Sequence, residues 1–203
     1  MVTEADADAA VEVGPDARQA KIDHILSVAM NEFAERGYAG TSMAAIAAAA
    51  GVSRPALYQF FSNREDVFRS ALAAVMADAN RAALDELERD APLAVRLDGF
   101  LQRRFGDVIE RVVAMPHGAE VADAARLSVA PDVAAEADRV VRAGLEAHLR
   151  RTHPRAAVRK AADLLLLGVL GLKADHPTIP AYRKRLTTVA EATAALLGES
   201  PEP

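Results

Sequence analysis

The segment GVSRPALYQFF, Gly51 to Phe61, gathers an arginine, a tyrosine and a glutamine on a stretch that opens with turn and helix-start residues. Arg54 carries the planar fork of donors that pairs with O6 and N7 of guanine, and Gln59 can read the edge of adenine. Tyr58, one helical turn beyond Arg54, offers a hydroxyl to a phosphate oxygen, and Thr41, Ser42 and Arg64 add donors for backbone contacts. Ser53 can cap the helix, with Arg54 and Pro55 in its first turn, where a missing N–H costs little. Ser53, Arg54, Ala56 and Gln59 form the outward set, and Leu57 and Phe60 hold the inner side. One arginine or tyrosine on a helix is ordinarily a solvated or half-buried residue, so the weight rests on the whole pattern.

A second polar group is HGAEVAD, with His117, Glu120 and Asp123 at i, i+3 and i+6. An H-x-x-E pair can ligate a metal, but acids at a helix start after Pro116 are also what the helix dipole favours. We read no metal and no cofactor, and give His117 to a ligand pocket. The chain has no cysteine, no G-x-S-x-G, no H-E-x-x-H and no phosphate-binding glycine loop. It is read as not an enzyme, with an all-helical metal-dependent enzyme as the alternative.

Positioning these residues requires helices. Glycine and proline punctuate a pattern that is otherwise helical, and no window alternates with period two. Ile22, Ile25, Leu26, Ala29 and Phe33 form the stripe of a first helix, about 17–36, stopped by Gly37. Thr41 or Ser42 caps a short helix ending near Ala50, Gly51 makes the turn, and Ser53 opens the next. This is helix-turn-helix spacing, with Ala47 small where the two helices cross. In SNRE, Ser62 and Glu65 suggest a capping box for a long fourth helix. Pro92, Pro116, Pro131, Pro154 and Pro180 then open five more, giving about nine helices and an all-α fold.

Hydrophobic residues make up 51% of the 203, a globular composition, and the formal net charge is −5. Residues 1–15 hold four acids and no base, and residues 16–70 hold six of each sign, so bulk charge gives no argument for nucleic acid. No run of about 18 apolar residues occurs and the N-terminus lacks the pattern of a signal peptide, so no membrane partner and a cytoplasmic location are expected. The divisions expected are an acidic disordered tail at 1–16, a helix-turn-helix domain at 17–64, a helical domain at 65–198 and a disordered tail at 199–203. Six of the nine Phe and Tyr residues lie between Phe33 and Phe68, consistent with a separate aromatic core in the first domain.

FAERGYAGTSMAAIAAAAGVSRPALYQFFSNREDVF, Phe33 to Phe68, resembles the DNA-binding domain of TetR-family regulators. The shared features are F-A-x-x-G-Y, T-S with I-A in the second helix, A-G-V-S, and L-Y-x-F-F running into the fourth helix. The resemblance implies a homodimer that binds a palindromic double-stranded DNA operator and responds to a small-molecule effector, most simply a repressor released by ligand. It implies backbone contacts at Thr41 and Ser42, base contacts at Ser53, Arg54 and Pro55, and phosphate contacts at Tyr58 and Arg64. By the same analogy the larger C-terminal domain binds ligand and dimerises. Phe100, Arg104, Met115, His117, Glu120 and Leu127 are its pocket candidates. Leu164, Leu167, Gly168 and Gly171, with Leu186, Val189, Thr193 and Leu197, are its dimer-face candidates. One departure stands out: alanine fills positions 44, 45 and 47–50 of the second helix, where many members place Arg or Lys. That thin clamp motivates a further alternative, an adaptor that keeps the fold without binding DNA.

Overall fold

The computed structural model describes residues 15–172, 175 and 177–198, so the two terminal tails expected from sequence lie outside the described residues except for Pro15 and Asp16. Among the described residues the chain forms nine helices. These are α1 (Pro15–Gly40), α2 (Met43–Ala49), α3 (Arg54–Tyr58), α4 (Arg64–Leu87) and α5, which runs Leu93–Leu101, Gln102–Gly106 and Asp107–Ala114. They continue with α6 (Gly118–Asp123, then Ala124–Ser128), α7 (Pro131–Leu149), α8 (Arg155–Gly171) and α9 (Ile179–Leu196). The middle segment of α5 and the second segment of α6 are π-helical, each holding an extra residue per turn.

Two apolar clusters fill the molecule. The first joins Ile25, Ala29 and Phe33 of α1 to Ile46, Leu57, Phe61 and the first half of α4, and it also takes in Val121, Ala124 and Ala125 of α6. Phe33, Tyr38 and Phe68 form its aromatic centre, with ring centroids 5.0–5.8 Å apart. Phe68 meets the other two edge-to-face and Phe33 stacks on Tyr38, and both geometries add to simple area burial. The second cluster packs the end of α4 against α5, α7, α8 and α9. Helix α4 therefore belongs to both.

The start of α4 differs from the sequence reading by one residue. Asn63, not Ser62, is the cap: its Oδ1 accepts the Asp66 N–H at 2.9 Å, and Asp66 reaches back to accept the Ser62 N–H at 2.8 Å. Asn63 is the extended residue there, with φ −163° and ψ 178°. Asparagine caps at least as well as serine, and Asp66 performs the reciprocal half of the box in place of Glu65. Asn63→Ala is expected to cost about 0.5–2 kcal/mol in chemical denaturation, whereas Ser62→Ala is expected to cost nothing measurable.

Candidate functional site

The α2–turn–α3 unit is built as its spacing suggests. Ser42 Oγ accepts the Ala45 N–H and Ser53 Oγ accepts the Ala56 N–H, both at 3.2 Å. Gly51 makes the turn at φ 66°, a conformation that side chains rarely adopt. The Val52 N–H donates to Ala47 O at 3.0 Å across it, where buried Ala47 lets the helices approach. Leu57 is fully buried and fixes one side of α3. The other side presents Ser53, Arg54, Pro55, Tyr58 and Gln59 to solvent, while Ala56 is half-buried. Phe60, expected inside, is only half-buried, and Phe61 takes the inner place. The guanidinium of Arg18 and the ammonium of Lys21 stand 5.5 and 5.7 Å from the Phe60 ring centroid, a cation–π arrangement. Two cations of α1 thus flank the end of α3 and offset the uncharged surface of α2.

Two expected backbone-contact residues have other work. Thr41 is buried, and its hydroxyl is placed to donate to Gly37 O at 2.8 Å and to Glu32 O at 3.1 Å, which holds it against the last turns of α1. Arg64 donates to Ala39 O at 3.1 Å and Thr41 O at 3.0 Å, and its guanidinium lies 4.4 Å from the Tyr38 ring centroid. It clamps the α1–α2 turn. Ser42 remains at the surface, its hydroxyl engaged as a cap.

A cavity of about 750 Å³ lies between α1, α4, α5 and α6, a usual size for a small-molecule site. Leu26, Met30, Val75, Val108, Ile109 and Met115 supply apolar wall, and Arg104 and Arg126 charged wall. Arg104 is 1% exposed, with Nη2 2.5 Å from Asp138 Oδ1. Of the pocket candidates, Arg104 and Met115 line this cavity. Phe100 does not: it is buried in the second core cluster. Leu127 is 76% exposed, because the π-helical turn of α6 rotates it outward.

His117 and Glu120 also face elsewhere. Glu120 Oε1 accepts the Ala39 N–H at 2.9 Å, and His117 N–H donates to Ala34 O at 3.1 Å. His117 Nδ1 is 3.4 Å from Glu120 Oε2, and Asp123 is exposed. These residues tie the start of α6 to the end of α1 rather than lining a pocket. Among the described residues no group of three or more His, Cys, Asp or Glu is disposed to hold a metal ion.

On the dimer-face candidates, Leu164 (37% exposed) and Leu167 (59%) lie at the surface of α8, as does Gly171, and Gly168 is half-exposed beside them. Leu170 joins them at 60% exposed. The α9 candidates point inward instead. Leu186 and Thr193 are fully buried in the protomer's own core, and Val189 and Leu197 are half-buried against it. The apolar stripe of α9 is spent on its own core, and its outward side carries Thr188, Ala192, Ala195 and Leu196.

An exposed short helix after a tight glycine turn, on an all-α body with a cavity beside it, is a helix-turn-helix arrangement. Residues 25–71 match the family model of bacterial regulatory proteins, tetR family. HTH-type transcriptional regulator AcrR of Shigella flexneri is 47% identical over 45 residues, 22% of this chain and 21% of that protein. The uncharacterized HTH-type transcriptional regulator YezE of Bacillus subtilis (strain 168) is 33% identical over 72 residues, 36% of each chain. The chain thus spans about a fifth to a third of the length of these curated relatives. The crystal structure of a tetR-family transcriptional regulator from Streptomyces coelicolor shares the fold, with a TM-score of 0.63 at 22% identity over 88% of this chain and 80% of that one. Residues 25–71 are thus similar to the DNA-binding domain of the tetR family, and the whole fold is that of a tetR-family regulator of known structure. Among the described residues no helix is long and apolar enough to cross a membrane.

Proposed function

We propose that the protein is a ligand-responsive transcriptional repressor that binds a palindromic operator as a homodimer in the cytoplasm and leaves it when a small molecule fills the cavity. The observation that carries this reading is shared architecture: α1 and α4, which hold the reading helix, are also two walls of the cavity. A ligand that favours one spacing of α4 and α6 therefore biases the angle of α3. Such a shift requires different affinity for the two arrangements, and DNA and ligand then oppose each other reciprocally. In the dimer the two α3 helices must stand about 34–36 Å apart to enter successive major grooves.

In this reading Arg54, Gln59, Ser53, Pro55 and Ala56 face base edges, and Tyr58 and Ser42 the phosphate backbone, with Arg18 and Lys21 adding charge. Thr41 and Arg64 act by shaping the turn. Selection of genomic fragments by the purified full-length protein, at rising salt, tests it: retention is expected to fall steeply with salt. Failure of a folded dimer to retain any fragment at low salt would favour the adaptor. Arg54→Ala is expected to cost about 1–3 kcal/mol of operator affinity and to relax preference at the bases it reads. Unchanged affinity and selectivity would remove Arg54 from that role. Stoichiometric zinc or iron lost on replacing His117 and Glu120 would revive the enzyme reading.

A further inference from the structure

The charged wall of the cavity is not balanced. Asp138 is the carboxylate for two guanidinium groups, with Oδ1 2.5 Å from Arg104 and Oδ2 3.5 Å from Arg126. Arg104 is buried, and its Nε has no hydrogen-bond partner among the described residues. A guanidinium does not discharge in a protein, so burial cannot be relieved by losing the proton. The buried Tyr182 phenol shares this environment, and burial pushes its pKa up to about 12, so it supplies no negative charge at neutral pH. Two positive charges therefore share one negative, and the one that is buried, Arg104, stands where an uncompensated charge is costly.

The rest of the cavity has a different chemistry. Leu26, Met30, Val75, Val108, Ile109 and Met115 are aliphatic or thioether side chains, and among the described residues Phe105 is the sole aromatic on the wall, its ring centroid 5.0 Å from the Arg104 guanidinium. That wall suits a flexible hydrocarbon better than a flat ring, which needs stacking partners on its faces. The other charged lining groups include Asp78 and Arg81, which pair with each other at 2.7 Å.

We propose that the effector is an aliphatic carboxylate, its head seated on Arg104 and Arg126 beside Asp138 and its hydrocarbon body along the α1, α4 and α5 wall. This rests on the reading of the cavity as the effector site. The carboxylate brings the missing charge and accepts charge-assisted hydrogen bonds from the forked guanidinium donors.

Titration calorimetry of the full-length protein with octanoate and with octan-1-ol tests the head group at constant tail. Octanoate is expected to bind about tenfold or more tightly than the alcohol. Arg126→Gln, at a side chain 45% exposed, is expected to remove most of that preference while leaving octan-1-ol unchanged, and it does not disturb the core. Equal affinity for the two compounds, no binding of either, or an unchanged preference in Arg126→Gln would overturn the proposal. DNA retention in the same preparation separates this claim from the one beneath it. Octanoate that binds selectively and releases DNA supports both. Selective binding that leaves the DNA complex intact supports the anion seat and defeats its effector role. DNA binding together with equal affinity for acid and alcohol overturns the anion seat alone.

Discussion

On the proposed homodimeric reading, replacing Leu167 by glutamate is expected to leave the protein monomeric and to lower operator affinity about a hundredfold or more. Leu164, Leu167 and Leu170 lie along α8 with 37%, 59% and 60% of their surface exposed. An added Cβ at Gly171 meets no atom within 4 Å, and one at Gly168 meets only its own helix's Leu164 at 3.9 Å. The two glycines sit on a face that the protomer does not cover. Such a face, with small residues that allow close backbone approach, suits self-association about a two-fold axis. In a two-fold interface a substitution enters twice, so the variant brings two desolvated carboxylates into one apolar contact, the costly arrangement for buried charge. Because Leu167 is mostly exposed in the protomer, the fold itself has little to lose. The DNA consequence follows from linkage: two reading heads on one dimer gain about 10²–10⁴ in avidity over separate heads. Sedimentation velocity reports the assembly state, gel retardation the affinity, and circular dichroism the intact helices. A variant that stays dimeric would move the interface off α8.

The sequence marks its helices clearly because glycine or proline stands at most of their boundaries, and Ser42 and Ser53 announce their helices by capping chemistry. What it leaves hidden is which neighbour each polar or apolar face meets. Asn63 and Ser62 are adjacent residues of similar capping strength, and only backbone geometry selects between them. Thr41 and Arg64 look like donors awaiting a phosphate, yet the carbonyls at the end of α1 claim both. The α9 stripe at Leu186 and Thr193 is a real apolar face, but periodicity does not say whether a core or a second copy covers it. The π-helical turns at Gln102–Gly106 and Ala124–Ser128 are the deepest omission. An extra residue in the turn breaks the 3.6-residue count, carrying Arg104 into the interior and Leu127 out of it. The helix-turn-helix geometry is therefore legible through its caps, its turn glycine and buried Leu57, but not at Thr41, Arg64 or Phe60, and the cavity only in part, through Arg104 and Met115.

Gly37→Ala is expected to destabilise the protein by about 2–4 kcal/mol and to weaken communication between cavity and reading head. Gly37 ends the regular part of α1 at φ 73° and ψ 164°, a region open essentially to glycine and costing other residues about 1–3 kcal/mol. The space is closed as well: a Cβ built there falls 2.1 Å from Glu120 Oε2 and 2.7 Å from Glu120 Cδ. The carboxylate must swing away, giving up the Ala39 N–H that it accepts at 2.9 Å, a net loss of about 1 kcal/mol. That bond joins α6, a wall of the cavity, to the turn that leads into α2. Its loss leaves the His117 N–H on Ala34 O as a remaining tie between the same two elements. Glu120→Ala separates the two effects, since it removes the side-chain tie but leaves the Gly37 backbone as it is. Thermal unfolding is expected to show a large loss for Gly37→Ala and a small one for Glu120→Ala, while ligand-driven release of DNA is expected to weaken in both. Equal stability of Gly37→Ala and the parent chain would refute the backbone assignment. Unchanged release in Glu120→Ala would show that the bond from the Ala39 N–H to Glu120 does not carry the signal between cavity and reading head.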